Sequence, residues 1–415
     1  MRLGIQGWVV LAALWAGHAG AVEVGGADEP SAELLDCAKA RVLLQQQAPV
    51  DPQHLKLLEE LCEVEASQPR HDAETLAAIE QWQRDHLAAI GRQARMWLVS
   101  RDAHEQLAAG LLLPMLHMRE SQAEAPQAEP QWSHAQARAA FAAARALAPG
   151  DPLVAWLAVV SCPGLGVAAG SGCESEAALV RLQQRDADNA AVWLQGLGSA
   201  SPESKESAQL LAKAAASSRY ETPFGATGRL LTEVLRQVDV PPPSPHVAAA
   251  LGLGLGLDRP ATRRDLDGVV AMGISSALAL PVSTRGACSG EGDGMMAQRR
   301  AQCIAIHTLM SEEPTAVSQA MALTRLVLLT ADQPEGAGWR ERLREHYWVW
   351  DNASALMRQG VPEDYLDAVW RDGELVALKG LLRAAGMPLA PPAGWLPDSE
   401  RRRSLVTTGR EAPRR

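Results

Sequence analysis

The sequence predicts an all-α chain of helical hairpins stacked as an irregular α-solenoid, with compact helical bundle domains as the alternative packing of the same helices. Three observations lead there. Hydrophobic residues make up 47% of the 415 residues but aromatics only 4%, and Ala and Leu dominate that apolar share, so intrinsic propensity favours helix almost everywhere. The apolar runs are separated by short breaks rich in Asp, Pro and Gly, the residues that start and stop helices. Finally, some of these runs repeat one small-residue spacing.

The N-terminus, "MRLGIQGWVVLAALWAGHAGAVEV", has Arg2, a short apolar stretch from Trp8 to Trp15, and the small residues Ala19-Gly20-Ala21. This is the pattern of a cleavable signal peptide, residues 1–21, with cleavage expected after Ala21. An uncleaved anchor is the alternative, but the apolar stretch falls short of the ~20 residues of a span. The expectation is a periplasmic or secreted protein without stable membrane insertion. The net charge of −10 supplies no cationic field for a phosphate backbone, which argues against nucleic acid as a partner.

Six cysteines in an exported chain invite pairing. Cys37 and Cys62 lie equally far from the break Ala48-Pro49-Val50-Asp51-Pro52, so in a helical hairpin their sulfurs should meet. Cys162 and Cys173 flank the loop "PGLGVAAGSG" in the same way. Cys288 and Cys303 flank "SGEGDGMMAQRRAQ", a weaker pairing because Cys303 sits inside a predicted helix. Metal binding is the rival use. No C-x-x-C occurs and no His is spaced to complete a tetrahedral set, so no metal is predicted.

Along the chain, residues 22–118 read as N-terminal hairpins, with Ser100 placed to cap a helix and Asp102 in its first turn. Residues 119–131, "RESQAEAPQAEPQ", read as a linker. In "ARAAFAAARALAPGDPLVAWLAVV", Ala137, Phe141, Ala144 and Pro149 are spaced by four, three and five residues. This resembles the second helix and terminating proline of the tetratricopeptide repeat, in which small residues let helices approach and one large side chain fills the gap. The segment from Asp186 to Leu194 resembles the next inter-repeat turn and first helix. Ala208, Ala212 and Ala215 repeat the small-residue spacing, and Tyr220 follows 33 residues after Ala187. The step from Pro149 to Ala187 is 38 residues, against about 34 in the family, and the surplus coincides with the Cys162–Cys173 loop. The resemblance covers residues 132–240, and Trp156 and Leu197-Gly198 are each shifted by one position. It implies a stacked helical array with a peptide-binding surface.

The stretch "VPPPSP" is the best internal boundary. A C-terminal helical region follows over 246–388, with Gly386 as its stop. Residues 389–415, Pro-rich and then basic with six Arg from residue 401 onward, read as a disordered tail.

Chemistry is sparse. None of the five lysines closes a phosphate loop, "GISSA" lacks the second glycine of a nucleophile elbow and reads as a buried helix, and no zinc or calcium motif occurs. No catalytic residue and no cofactor are predicted. The densest aromatic patch, "REHYWVWDNAS", holds Tyr347, Trp348 and Trp350. Tyr347 and Trp350 share a helix face and suit a core, while a partner-binding aromatic ledge is the sharper alternative. The expected function is a disulfide-stapled scaffold for a protein or peptide of the cell envelope, with no small-molecule substrate indicated. An exported helical hydrolase acting on envelope material is the alternative, and a structural or stress-related envelope protein a third reading.

Overall fold

Helix follows helix through a computed structural model that describes residues 72–123, 131–164, 175–198, 204–279, 284–288 and 297–412. No strand occurs among them; the one β-type contact is an isolated bridge between Asn189 and Arg219. The predicted signal peptide, the Cys37–Cys62 hairpin and residues 165–174 of the Cys162–Cys173 loop lie outside the described residues.

The chain divides into two compact units, each made of two separate stretches, with one division at the start of the polyproline stretch. One unit joins Met1–Asp85 to Pro241–Arg263; the other joins His86–Val240 to Arg264–Arg415. The polyproline stretch thus opens a short returning segment of the first unit and does not separate an N-terminal half from a C-terminal half.

In the first unit, helix α1 (Ala73–Trp97) begins behind Asp72, whose carboxylate accepts the Thr75 N–H at 2.7 Å. Those backbone and hydroxyl bonds from Thr75 hold the Asp72 carboxyl below the usual carboxylate range. Trp82 Nε1 donates to the Pro241 carbonyl at 3.0 Å, and Thr75 Oγ1 bonds His246 Nε2 at 2.6 Å. The glycine-rich segment that resisted assignment forms a helix, Pro245–Gly254, started by Ser244 with Pro in its first turn. Gly252 is required there, since a Cβ would stand 2.2 Å from the Arg259 carbonyl oxygen where the chain turns back.

In the second unit, consecutive helices pack in pairs. Helix α2 (Ala103–Ala123) lies on α3 (Gln131–Leu147), α4 (Pro152–Gly164) on α5 (Ser175–Arg185), and α6 (Ala190–Gln195) on α7 (Lys205–Ala215). Successive pairs touch through α3 with α4 and α5 with α6. Helix α2 runs five residues into the expected linker. Its cap is Asp102, which accepts from His104 N at 2.7 Å; Ser100 stands one step earlier and accepts from Asp102 N at 3.0 Å. Ala137, Phe141 and Ala144 are buried, with the Phe141 ring against Gly110 of α2, where an added Cβ would meet it at 2.9 Å. Asp151 caps α4, accepting from Leu153 N at 2.8 Å. Buried Asn189 caps α6 and satisfies its whole amide: Oδ1 accepts from Ala191 N and Glu221 N, and Nδ2 donates to Asp186 and the Glu221 carbonyl.

The pairwise order then changes. Helix α7 packs on Ala297–Met310, and the two share a core of Trp156, Trp193, Leu211, Tyr220, Ile306 and Met310. Within it Cys288 and Cys303 form a disulfide with a Cα separation of 5.9 Å. Helix Phe224–Arg236 meets Tyr365–Asp372, where Trp370 packs on Phe224 with ring centroids 5.4 Å apart and covers Gly228. The "GISSA" segment lies inside helix Arg263–Ala279, with Ser275 and Ser276 buried as a small-residue helix requires.

The expected disordered tail is ordered as far as residue 412. After Gly386, which ends a helix in the left-handed region as expected, a helix forms over Glu400–Thr408 and buries Leu405 and Val406. Its arginines are engaged: Arg402 pairs with Asp351 at 2.9 Å and Arg410 with Asp332 at 2.7 Å. Among the described residues no helix is long and apolar enough to cross a membrane.

Candidate functional site

The aromatic patch is filled by the chain itself. Tyr347 and Trp348 lie on helix Gly336–Met357 and are buried; Trp350 is half-buried. Trp348 Nε1 donates to the Pro388 carbonyl at 2.8 Å, and its ring meets Trp395 edge to face with centroids 5.2 Å apart. The Arg402 guanidinium lies 4.9 Å from the centre of the Tyr347 ring. The segment expected to be mobile therefore covers the ledge, and Tyr347 and Trp348 serve the core. The physical reason is mutual. The Arg-rich end has few apolar residues of its own but finds rings to pack on, and a basic side chain over an aromatic face adds a cation–π attraction.

Beside that covering segment a cleft of about 300 Å³ opens. Its floor is apolar, from Leu323, Val349, Leu375 and Leu389. Leu323 belongs to helix Ala316–Leu329, Val349 to Gly336–Met357, and Leu375 to Glu374–Ala384. The polar lining is predominantly cationic, with Arg342, Lys379 and Arg383 against the single carboxylate of Glu345. Arg342 is already held, 2.8 Å from Glu312 and stacked 5.0 Å from the Trp339 ring centre. Lys379 and Arg383, exposed and one helical turn apart, make no ion pair or hydrogen bond among the described residues. Two like charges at that spacing oppose helix formation by about 0.2–0.5 kcal/mol, while Arg383 in the last turn is favourably placed against the helix dipole.

His346 stands in the same cleft, 5% exposed. Burial first, and then the cations Arg402 and Lys379, push its pKa down to about 3. The imidazole is neutral, and its tautomer follows from its neighbour. Gln319 donates through Nε2 to the Ser311 carbonyl at 2.9 Å, which turns its Oε1 to His346 Nδ1 at 3.0 Å. Nδ1 must therefore carry the proton, leaving Nε2 with a bare lone pair. Nε2 makes no hydrogen bond among the described residues. The cleft thus combines two cations, one fixed neutral acceptor and an apolar floor. Its lining holds no Ser, Thr or Cys, and Glu345 is its one carboxylate.

A second polar cluster is closed and structural. Glu313, 2% exposed, accepts from Thr222 N at 3.1 Å, from the Thr222 hydroxyl, and from Thr315 Oγ1 at 3.3 Å. Burial raises its carboxyl above the usual range. Glu374 accepts from Ala316 N at 2.8 Å and so caps a helix from 58 residues away. Burial raises it too, and the neighbouring Glu313 adds to the shift. His307 is buried against Thr284 Oγ1 at 3.2 Å, with its pKa lowered to about 3 by burial and by Arg325.

These imidazoles set an acid dependence. Between pH 6.5 and about 3 the unfolded chain takes up protons at His307 and His346 that the native chain refuses. The stability they support above pH 6.5 is therefore lost as pH falls through that window. Glu313 and Glu374, with raised values, act in the opposite sense. Replacing His307→Leu is expected to narrow the gap between urea midpoints measured at about pH 7.5 and about pH 5; an unchanged gap excludes His307 as a contributor.

Sequence reasoning missed His346, Gln319, Lys379 and Arg383. One signal existed, the like-charged Lys379–Arg383 pair on a helix with no acidic residue at matching spacing. Among the described residues no group of three His, Cys, Asp or Glu side chains is placed to hold a metal. No family model matches the chain, and no curated protein or solved structure is significantly similar to it.

Proposed function

We propose that the protein is an exported helical scaffold that binds an acidic peptide segment of an envelope protein at the Lys379–Arg383 cleft. The observation that carries this reading is the pair of unengaged cations beside a fixed neutral acceptor, over an apolar floor, on a chain of net charge −10. Charges left unpaired inside a molecule with surplus carboxylates are suited to an anionic partner. The consecutive helix pairs from Ala103 to Ala215, with Ala137, Phe141 and Ala144 buried between neighbours, support a tetratricopeptide-like stack in this part of the chain. The Cys288–Cys303 bond supports an oxidising compartment, in line with the signal-like first 21 residues.

The test uses fluorescein-labelled octapeptides carrying Asp or Glu beside Leu or Val, titrated by anisotropy. Binding is expected to weaken at least tenfold in Lys379→Glu/Arg383→Glu and to fall with added salt. Equal binding by the charge-reversed variant overturns the reading.

A further inference from the structure

We propose that the cleft formed by Lys379, Arg383, His346 and the apolar floor recognises the free C-terminal residue of a peptide chain. This rests on the reading above and deepens it by naming which carboxylate is bound.

Three properties of the site select among anions. The cations of Lys379 and Arg383 need a negative group. His346 Nε2, an acceptor because Gln319 takes the Nδ1 proton, needs a hydrogen-bond donor. The floor of Leu323, Val349, Leu375 and Leu389 needs an apolar side chain. A peptide's last residue carries all three on one Cα: the α-carboxylate, the amide N–H and the side chain. A phosphomonoester dianion offers only acceptor oxygens and would set lone pairs against Nε2, and inorganic phosphate, though it keeps one hydroxyl donor, has nothing apolar for the floor. An internal Asp or Glu spends its side chain on the carboxylate and relies on a neighbouring residue for the floor, whereas a terminal residue makes all three contacts itself. Size agrees, because about 300 Å³ lies at the lower end of ligand pockets and suits one residue better than a buried strand. Arg342 is committed to Glu312, and Glu345 at the lining repels a second carboxylate, which favours a ligand with a single negative group.

Three substituents on one centre also impose handedness. A site for the end of a natural peptide is matched to the L-residue, and the D-residue then cannot make all three contacts at once.

The experiment is a ligand-observed NMR titration of the full chain with acetyl-Gly-Ala-Leu as free acid, as C-terminal amide and with D-Leu, with acetyl-leucine and inorganic phosphate as further probes. The free acid is expected to bind at least tenfold more tightly than the amide and several-fold more tightly than the D-form, with acetyl-leucine retaining part of the affinity. Gln319→Leu, which frees the His346 tautomer, is expected to weaken the free acid while leaving the far-UV circular dichroism unchanged. Binding of the amide within twofold of the acid, or competition by phosphate at equal concentration, overturns the proposal. If the octapeptides bind in a charge-dependent way while the free acid does not, this inference fails and the scaffold reading stands. If no peptide binds, both fail.

Discussion

Replacing Trp370→Ala is expected to lower the unfolding free energy by about 3–5 kcal/mol, the usual range for an aromatic removed from a core. The indole is 4% exposed and packs on Phe224 and on the bare backbone of Gly228. That bare backbone makes the site informative. A Cβ added at Gly228 would lie 2.3 Å from the indole Cε3 and Cζ3 atoms, so Gly228→Ala overpacks the wild-type contact at a cost of about 1–3 kcal/mol. This exceeds the ~1 kcal/mol that alanine gains over glycine inside a helix. With the indole gone the clash disappears and the propensity gain remains, so Gly228→Ala should change sign and stabilise the Trp370→Ala background. Urea midpoints of the four proteins test this. An effect of Gly228→Ala that is alike in both backgrounds would mean that the two residues do not meet.

The second large effect is expected at the disulfide. The Cys288→Ala/Cys303→Ala variant should lose about 3 kcal/mol, from the conformational freedom that a cross-link over 15 residues denies the unfolded chain. Both cysteines lie in the core beside Ile306 and Met310, so alanine leaves no polar group stranded there. The loss is read as a lower urea midpoint without reductant. A midpoint equal to that of the wild type would show that the bond is not closed in the folded protein.

How far the sequence disclosed the molecule depends on the range over which each element is determined. Locally determined features were legible. The helix pairs between Ala103 and Ala215 follow from apolar periodicity and Asp, Asn and Ser caps, and Gly386 ends its helix where its φ of 68° requires a residue without a Cβ. The all-helical class follows from composition. Features that depend on distant partners were not legible. Glu374 caps a helix from 58 residues away, and no local pattern announces a cap in another helix. The helix Glu400–Thr408 looked like a solvated basic end because Leu405 and Val406 are its only strongly apolar residues. It is ordered by the rings and carboxylates it meets. The aromatic patch read first as core and, alternatively, as a partner-binding ledge; Tyr347 and Trp348 are buried, and the chain's own C-terminal segment covers them. The cleft depended on that same fold-back, because Leu389 forms part of its floor, and on a glutamine whose orientation sets the histidine.

The return of the last residues onto Tyr347 and Trp348 also orders events in time. Synthesis runs from the N-terminus at ~5–20 residues per second, and Trp395 is made 47 residues after Trp348. For about 2–10 s at those rates each newborn chain carries bare aromatic rings whose cover does not yet exist. The second unit therefore cannot finish this part of its core until the segment from Pro388 to Arg402 has been made.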